Sequence, residues 1–500
     1  MVAKVLIIII CFIYFSPHSF TQDEKSFEAK EVKSLIEKFF NEDPWVNGEA
    51  IGKLVKIGEP AVDDLIISLQ DKYENVRWCS AITLEKISPL GRRSIPFLIN
   101  ALTDESKNVR WCSALALGKF KSEALKSIPA LQKLLYDDDY DVRWAAYVAI
   151  LKIDKKSLNV IPDLLEKINI VEKLTPELMS QLKVPGVSIS IIHNNNIAYS
   201  KSFGVADADT KLPVDINTMF EACSMSKPVF TLLVLQLVDQ GKLDLDSPLS
   251  DYLPETFVSD DDYSKLITAR MILSHTGGMP NWRKGDEERN APIPIYFKPG
   301  TRFNYSGEGI YYLQRVVEKI TNQSLENYAR ENLFDKLGLT STSFIWKENF
   351  DKQIATGHNA DGKCNERKKY VHSNAAYTLY TTADEYAKII VEMTNPKIEN
   401  GYSLSKNMAD EMLTHQTRVD TREVIDRSGR NFGLFAFRGL GWAIDSTITG
   451  DVVYHSGANQ TGFRCYSQFS PKDKSGIVIM TNGENGNELW RRLIKEIGDL

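Results

Sequence analysis

Histidine and cysteine are scarce in this chain, seven and six residues in 500. Removing Cys11 with the N-terminal segment leaves Cys79, Cys112, Cys223, Cys364 and Cys465, an odd and widely spaced set that excludes a disulfide framework. The histidines build no metal site, because His358, Cys364 and His372 share a charged loop without any recognised ligand spacing. Excess positive charge is also missing. A net charge of −6 gives no electrostatic footprint for nucleic acid. No glycine-rich phosphate loop joins a strand to a helix, so no nucleotide cofactor is expected, and no cofactor of any other kind. After residue 21 no apolar run is long enough to span a bilayer.

The N-terminus is distinctive. Lys4 precedes an apolar core from Val5 to Phe15, and polar Gln22-Asp23-Glu24-Lys25 follows. That reads as a secretory signal over residues 1–21, cut near Ser19 to Thr21. A secreted or periplasmic product is the expectation, with membrane attachment only if the segment stays uncleaved.

Residues 22–170 carry a repeat. Val76-Arg77-Trp78-Cys79-Ser80-Ala81 recurs at Val109-Arg110-Trp111-Cys112-Ser113-Ala114 and again at Val142-Arg143-Trp144-Ala145-Ala146, two equal steps of 33 residues. Pro96, Pro129 and Pro162 keep the same step. Each unit reads as two helices, the first capped by Asn75, Asn108 or Asp141, the second opened by its proline. Trp45 falls in register one step earlier while Pro60 comes early, as in an atypical capping repeat. No Thr-Pro-Leu-His signature supports ankyrin. The pattern resembles short HEAT-like repeats, which implies an all-α solenoid with Arg77, Arg110 and Arg143 as a polar ladder. The stripe of Trp78, Trp111 and Trp144 either packs within the fold or forms a groove for a protein partner.

Residues 171–500 hold the chemistry. Ser-x-x-Lys occurs at Ser180–Lys183, Ser224–Lys227 and Ser403–Lys406. Only Ser224 opens a buried helix, because Val229 to Val238 is almost wholly apolar and Gly241 ends it. On a helix, residues three apart share a face, so Lys227 lies beside the Ser224 hydroxyl. Free N–H groups at a first turn favour developing negative charge there. Strands are expected at 187–192 and 197–203, joined by Asn194-Asn195-Asn196, and again at 452–455, 462–467 and 476–480. A helix from about Glu488 to Ile497 follows. Strands at both ends around a helical middle imply one sheet built from both termini.

Several motifs stand in one order: Cys223-Ser224-Met225-Ser226-Lys227, Leu273-Ser274-His275-Thr276-Gly277-Gly278, Pro299-Gly300-Thr301-Arg302-Phe303-Asn304-Tyr305-Ser306, Gly439-Leu440-Gly441-Trp442 and His455-Ser456-Gly457-Ala458. In these the region resembles class C β-lactamase-like serine hydrolases, a family of penicillin-binding proteins, β-lactamases, D-amino-acid peptidases and esterases. The resemblance implies an α/β domain, an antiparallel sheet flanked by helices with an all-helical subdomain. It implies Ser224 as nucleophile and Tyr305 in the family's Tyr-x-Asn position. A phenol alone is a poor base, but an adjacent ammonium favours its charged form and burial favours a neutral lysine. Either group could take the serine proton, so Lys227 and Tyr305 are treated as one coupled unit. His455 stands where β-lactamases carry Lys-Thr-Gly and is expected to change charge near neutral pH. The N–H groups of Ser224 and Ala458 would form the oxyanion hole, with Ser456, Gly457 and Asn459 lining the substrate site. Gly307 replaces the Asn of Tyr-x-Asn, removing an amide from the substrate site and weakening the lactamase and peptidase readings relative to the esterase one. Glu308 either substitutes for it or is solvated. His275 is expected to fix a turn. The expectation is an exported esterase or D-Ala-type peptidase acting on a small-molecule or peptidoglycan-like substrate. The alternatives are a β-lactamase or a catalytically weak penicillin-binding scaffold acting through its repeats.

Overall fold

The computed structural model describes residues 22–498 apart from 42, 89, 136, 138, 160–163, 254–256, 260, 285–290, 397–402, 420–434 and 448–449. The expected signal segment and Pro162 therefore lie outside the described residues. The chain forms two bodies: one holds residues up to Leu134 with Ala145–Lys155, the other Leu135–Trp144 with Lys156 onward.

The expected domain boundary falls at 170/171. A single helix, Leu164–Leu182, runs through it and belongs to the second body. Its Val171 and Leu178 are buried in one cluster with Leu489, Trp490, Leu493 and Ile497 of the C-terminal helix Gly486–Ile497. That spacing puts one apolar stripe of the C-terminal helix on the sheet, where Trp490 stacks on Tyr466 at 4.2 Å.

The sheet of the second body is antiparallel throughout, ordered β2-β1-β10-β9-β8-β7-β6-β5. The strands are β1 (Gly186–His193), β2 (Asn196–Gly204), β5 (Thr417–Val419), β6 (Phe435–Arg438), β7 (Ala443–Ser446), β8 (Asp451–Ala458), β9 (Arg464–Ser470) and β10 (Ser475–Thr481). The first and last strands of this body thus meet beside the β2 edge, where β1 pairs with β10. Asn194 and Asn195 both take positive φ, 50° and 59°, which closes the β1–β2 hairpin tightly. Alternation along β1 has a cause on each face. Val187, Ile189 and Ile191 face the C-terminal helix cluster, while Ser190 and Ser200 donate to Asp384 on the helix Ala383–Thr394. A separate two-stranded pair, β3 (Phe220–Glu221) with β4 (Tyr380–Thr381), leads into the nucleophile turn. The helices Ser226–Asp239 and Gly307–Thr321 form the core of the helical subdomain. Among the described residues no helix is long and apolar enough to cross a membrane.

In the first body, helices alternate as the 33-residue step requires: Glu74–Ile87, Ile95–Ala101, Lys107–Lys119 and Ile128–Leu134. The caps differ from expectation. The first helices start at Glu74 and Lys107, before Asn75 and Asn108, because an aspartate sets the preceding turn. Asp71 Oδ1 accepts from Tyr73 N at 2.9 Å, and Asp104 Oδ1 from Ser106 N at 2.8 Å. Asn75 instead accepts from the Trp78 indole N–H at 3.0 Å. Trp78 and Trp111 are half-buried, and Trp45 is 88% exposed.

The arginine ladder is present and does two jobs. Arg77 donates to the carbonyls of Asp71 and Lys72, and Arg110 to those of Asp104 and Glu105, so each guanidinium clamps the turn before its own helix. Arg77 also reaches the next repeat, with Nε 2.7 Å from Asp104 Oδ2 and Nη2 2.9 Å from Oδ1. This fork-to-carboxylate pair is nearly enclosed. Removing Asp104 leaves Arg77 with only the exposed Glu105, 3.3 Å away, as a counter-ion, at about 3 kcal/mol. Asp104→Ala should therefore lower the amide-exchange protection of residues 74–87 in the full-length protein by about a hundredfold; unchanged protection would show that the pair is dispensable.

Candidate active site

Ser224 sits in a tight turn, Cys223–Met225, from which the buried helix Ser226–Asp239 springs. The turn is forced. Cys223 adopts φ +54°, unusual for a residue with a side chain, and the Ser226 hydroxyl bonds back to Cys223 O at 2.6 Å. Leu379 N donates to the same hydroxyl at 3.0 Å, and Ala222 N to Leu379 O at 2.8 Å. The nucleophile turn is thereby tied to β4.

Lys227 is completely buried. Its Nζ lies 3.1 Å from Ser224 Oγ and 2.8 Å from Ala376 O. On the other side the ammonium sits 4.8 Å from the centre of the Tyr305 ring. The structure thus brings together the three residues singled out in the sequence. Tyr305 is held from behind by His275, with ring centres 4.4 Å apart. The expectation for His275 holds: it has φ +58°, its Nδ1 accepts from Ser306 N at 3.2 Å, and its carbonyl accepts from Asn304 N at 2.8 Å.

β8 closes the site. A Cβ on Gly457 would lie 2.3 Å from Ala222 O and 3.2 Å from Ser224 N, so only glycine lets this strand approach the nucleophile turn. Ser224, Ala458 and Asn459 share a cleft of about 970 Å³ with Trp282, Tyr370 and Tyr377. A second cavity of about 660 Å³, between Leu164–Leu182 and the C-terminal helix, shares no residue with it.

His455 departs from expectation. It is buried 6.4 Å from Tyr305, ring to ring. Burial, reinforced by the charges of Lys227 and Arg438, pushes its imidazole down to about 3, so it does not titrate between pH 5 and 8. Its Nδ1 lies 2.7 Å from Ser456 O. A carbonyl only accepts, so Nδ1 carries the proton and Nε2 presents a lone pair. Where the family carries a lysine ammonium, this chain offers a neutral acceptor.

Gly307 and Glu308 also resolve. A Cβ on Gly307 would stand 2.5 Å from two atoms of the Trp282 indole. The indole therefore fills the space an asparagine would need, and it is Trp282, not Gly307, that lines the cleft. Glu308 is not simply solvated, and it lines the cleft that holds Ser224. Its side chain is largely buried and paired with Arg283 at 3.0 Å, and it also accepts from Arg283 N.

His358 is a buried structural histidine that accepts from Ala208 N and faces Asn482 O. Among the described residues Asp207, Asp209 and Cys364 bring ligand-type atoms within 4.8 Å of one another, without His358 or His372. Asp207 is already occupied there by Thr210 and Thr356. The sequence reading missed Trp282, Tyr370, Tyr377 and the buried Glu221. Only Glu221 left a signal, as an acid inside the apolar stretch Met219-Phe220-Glu221-Ala222.

Known proteins agree with this geometry. Residues 171–499 match the family described as Beta-lactamase, and residues 88–152 match HEAT repeats. The chain is 25% identical over 327 residues to Protein flp of Staphylococcus aureus strain N315, covering 62% of each chain. It therefore spans less than two thirds of that relative's length. It is 24% identical over 337 residues to a Beta-lactamase of Pseudomonas fluorescens, covering 63% of this chain and 92% of the relative. A D-alanine carboxypeptidase AmpC from Burkholderia cenocepacia shares the fold at TM-score 0.53 and 20% identity, over 66% of this chain and 99% of that one. The octameric penicillin-binding protein homologue from Pyrococcus abyssi does so at TM-score 0.55 and 23% identity, over 65% and 76%. With its nucleophile turn, buried lysine and glycine-bearing strand in this arrangement, the chain belongs to the beta-lactamase family.

Proposed function

We propose that the protein is an exported serine hydrolase that cleaves esters or D-Ala-type peptides through an acyl-enzyme on Ser224. The observation that carries this reading is the Lys227 amino group, held between the Ser224 hydroxyl at 3.1 Å and the Tyr305 ring. The Ser224 oxygen attacks the carbonyl carbon, and its proton passes to the Lys227–Tyr305 pair. The tetrahedral oxyanion is met by the N–H groups of Ser224 and Ala458. Collapse expels the alcohol or amine, which leaves with the proton, and water then releases the acyl group by the same route. Neutral His455 offers Nε2 as an acceptor along the same strand. Export is supported by the basic-then-apolar pattern of residues 4–15.

One contact that an asparagine would give an acylamide side chain is missing, because Trp282 occupies that position. Pairing Gly307→Asn with Trp282→Ala should restore that space. It should raise acylation by a fluorescent penicillin relative to p-nitrophenyl acetate turnover by about tenfold, the worth of one regained hydrogen bond. An unchanged ratio would remove the indole from the argument.

Ser224→Ala should abolish labelling by the penicillin and cut ester turnover by at least about a thousandfold. Equal turnover by wild type and variant would overturn the reading, and labelling without turnover would point to a penicillin-binding scaffold.

The depressed imidazole of His455 gives a signed expectation. Its folded value lies below the unfolded one, so its contribution to stability is complete above the ordinary imidazole range and is lost as pH falls below about 6.5. His455→Gln should leave the shape of the activity profile from pH 5 to 8 unchanged while flattening the acid decline of the thermal midpoint. A vanished activity limb in that variant would show that the imidazole titrates in the working range.

A further inference from the structure

Glu221 ends β3 three residues before the nucleophile and is only 2% exposed. A carboxyl in such a place is costly unless donors meet it. Three donors do, all on one oxygen: Asn459 Nδ2 at 2.6 Å, Thr461 Oγ1 at 2.8 Å and Tyr370 Oη at 3.3 Å from Oε2. They come from two separate segments, and all three residues line the cleft that holds Ser224. The backbone carbonyl of Glu221 takes two further donors, the thiols of Cys223 and Cys465 at 3.2 and 3.3 Å. One residue therefore ties the nucleophile turn to the opposite wall of the cleft.

The consequence lies in Asn459. A side-chain amide can present either its N–H₂ or its carbonyl, and its partners decide which. Here Nδ2 is committed, to Glu221 at 2.6 Å and more weakly to Tyr370 and the Tyr377 carbonyl at 3.5 Å. The atom left for a substrate is Oδ1, which only accepts. We propose that Glu221 is a positioning residue that fixes Asn459 with Oδ1 toward the cleft, as an acceptor for an N–H on the acyl part of the substrate. The inference rests on the serine-hydrolase reading and adds a substrate feature to it: an acylamino or peptide N–H close to the scissile carbonyl. It complements the loss at Gly307. The asparagine that would serve an acylamide from one side is gone, and Asn459 meets the same group with a carbonyl from another.

The arrangement also predicts a pH signature. Burial pushes the Glu221 carboxyl up, opposed by its three donors. The ionisable groups facing it are Lys368 and Tyr370 on one segment, Tyr380 opposite it on β4, Cys223 on its own turn, and Cys465 and Arg464 on β9. An anionic acceptor holds donors more firmly than a neutral acid does. As pH falls through the raised value, Asn459 is therefore held less firmly.

Two esters of similar size test this, p-nitrophenyl N-acetylglycinate with the N–H and p-nitrophenyl valerate without it. The full-length wild type should prefer the first through KM, with the preference fading toward acid pH. Glu221→Ala should raise KM for the N-acetylglycinate about tenfold, leaving kcat and the valerate within about threefold. Glu221→Gln keeps an acceptor oxygen but cannot ionise, so it should show the weakened preference of the acid limb at every pH. Equal effects on both esters, no preference in wild type, or the same acid fade in Glu221→Gln would each overturn the inference. Should Glu221→Ala fail to fold, the pH series of the Gln variant decides by itself. Failure of Ser224 in wild type to be acylated at all would instead sink the hydrolase reading, and the two failures are distinguishable by labelling.

Discussion

A completely buried ammonium is the constraint around which this active site is arranged. Lys227 lies on a helix whose other inward residues are almost all apolar, and it reaches two polar atoms, Ser224 Oγ and Ala376 O, with the Tyr305 ring on its open side. A charge in such surroundings is tolerated only where every partner is fixed. That requirement explains the rigidity of the turn before it. Cys223 is held at positive φ, Ser226 bonds back to the chain, and Leu379, just before β4, is hydrogen-bonded to Ser226 and Ala222. It also explains the state of the two nearby histidines. His275 and His455 are each kept neutral by burial and by the charges of Lys227 and Arg438.

What could be read in the sequence followed from local physics with few alternatives. Ser224 was separable from Ser180 and Ser403 because only it opens a wholly apolar helix, and the structure buries that helix from Ser226 to Leu237. The terminal strands were legible because Asn194-Asn195 forms a tight hairpin and because the long strands β1, β8, β9 and β10 carry enough residues to show a pattern. β5, β6 and β7, of three or four residues each, do not. The helix caps went to the wrong residues because Asp71 and Asp104 act from two positions before the caps, where a cap rule does not look. No break in composition marks position 170, because the helix Leu164–Leu182 carries its apolar stripe across it.

The cleft walls were the least legible part, for a physical reason. Nucleophile and base must be neighbours in sequence because a helix face joins them, but the substrate-facing side chains converge from distant segments. Gly307 was visible as a departure, yet nothing in the sequence says that Trp282, twenty-five positions earlier, fills its place. Glu221 was visible as an acid among apolar residues, yet its partners lie at 370, 459 and 461.

This separation bears on how one fold serves several chemistries. Ser224, Lys227 and Gly457 are fixed by contacts that tolerate almost no change, since a methyl group on Gly457 would collide with Ala222 O. The walls are less constrained: an indole replaces a side chain at Gly307, and a neutral imidazole stands at His455. Each such exchange alters what the cleft can receive without disturbing how Ser224 is activated. Substrate preference in this chain is therefore to be sought in Trp282, Asn459 and the carboxyl that aims it, rather than in the Ser-x-x-Lys turn.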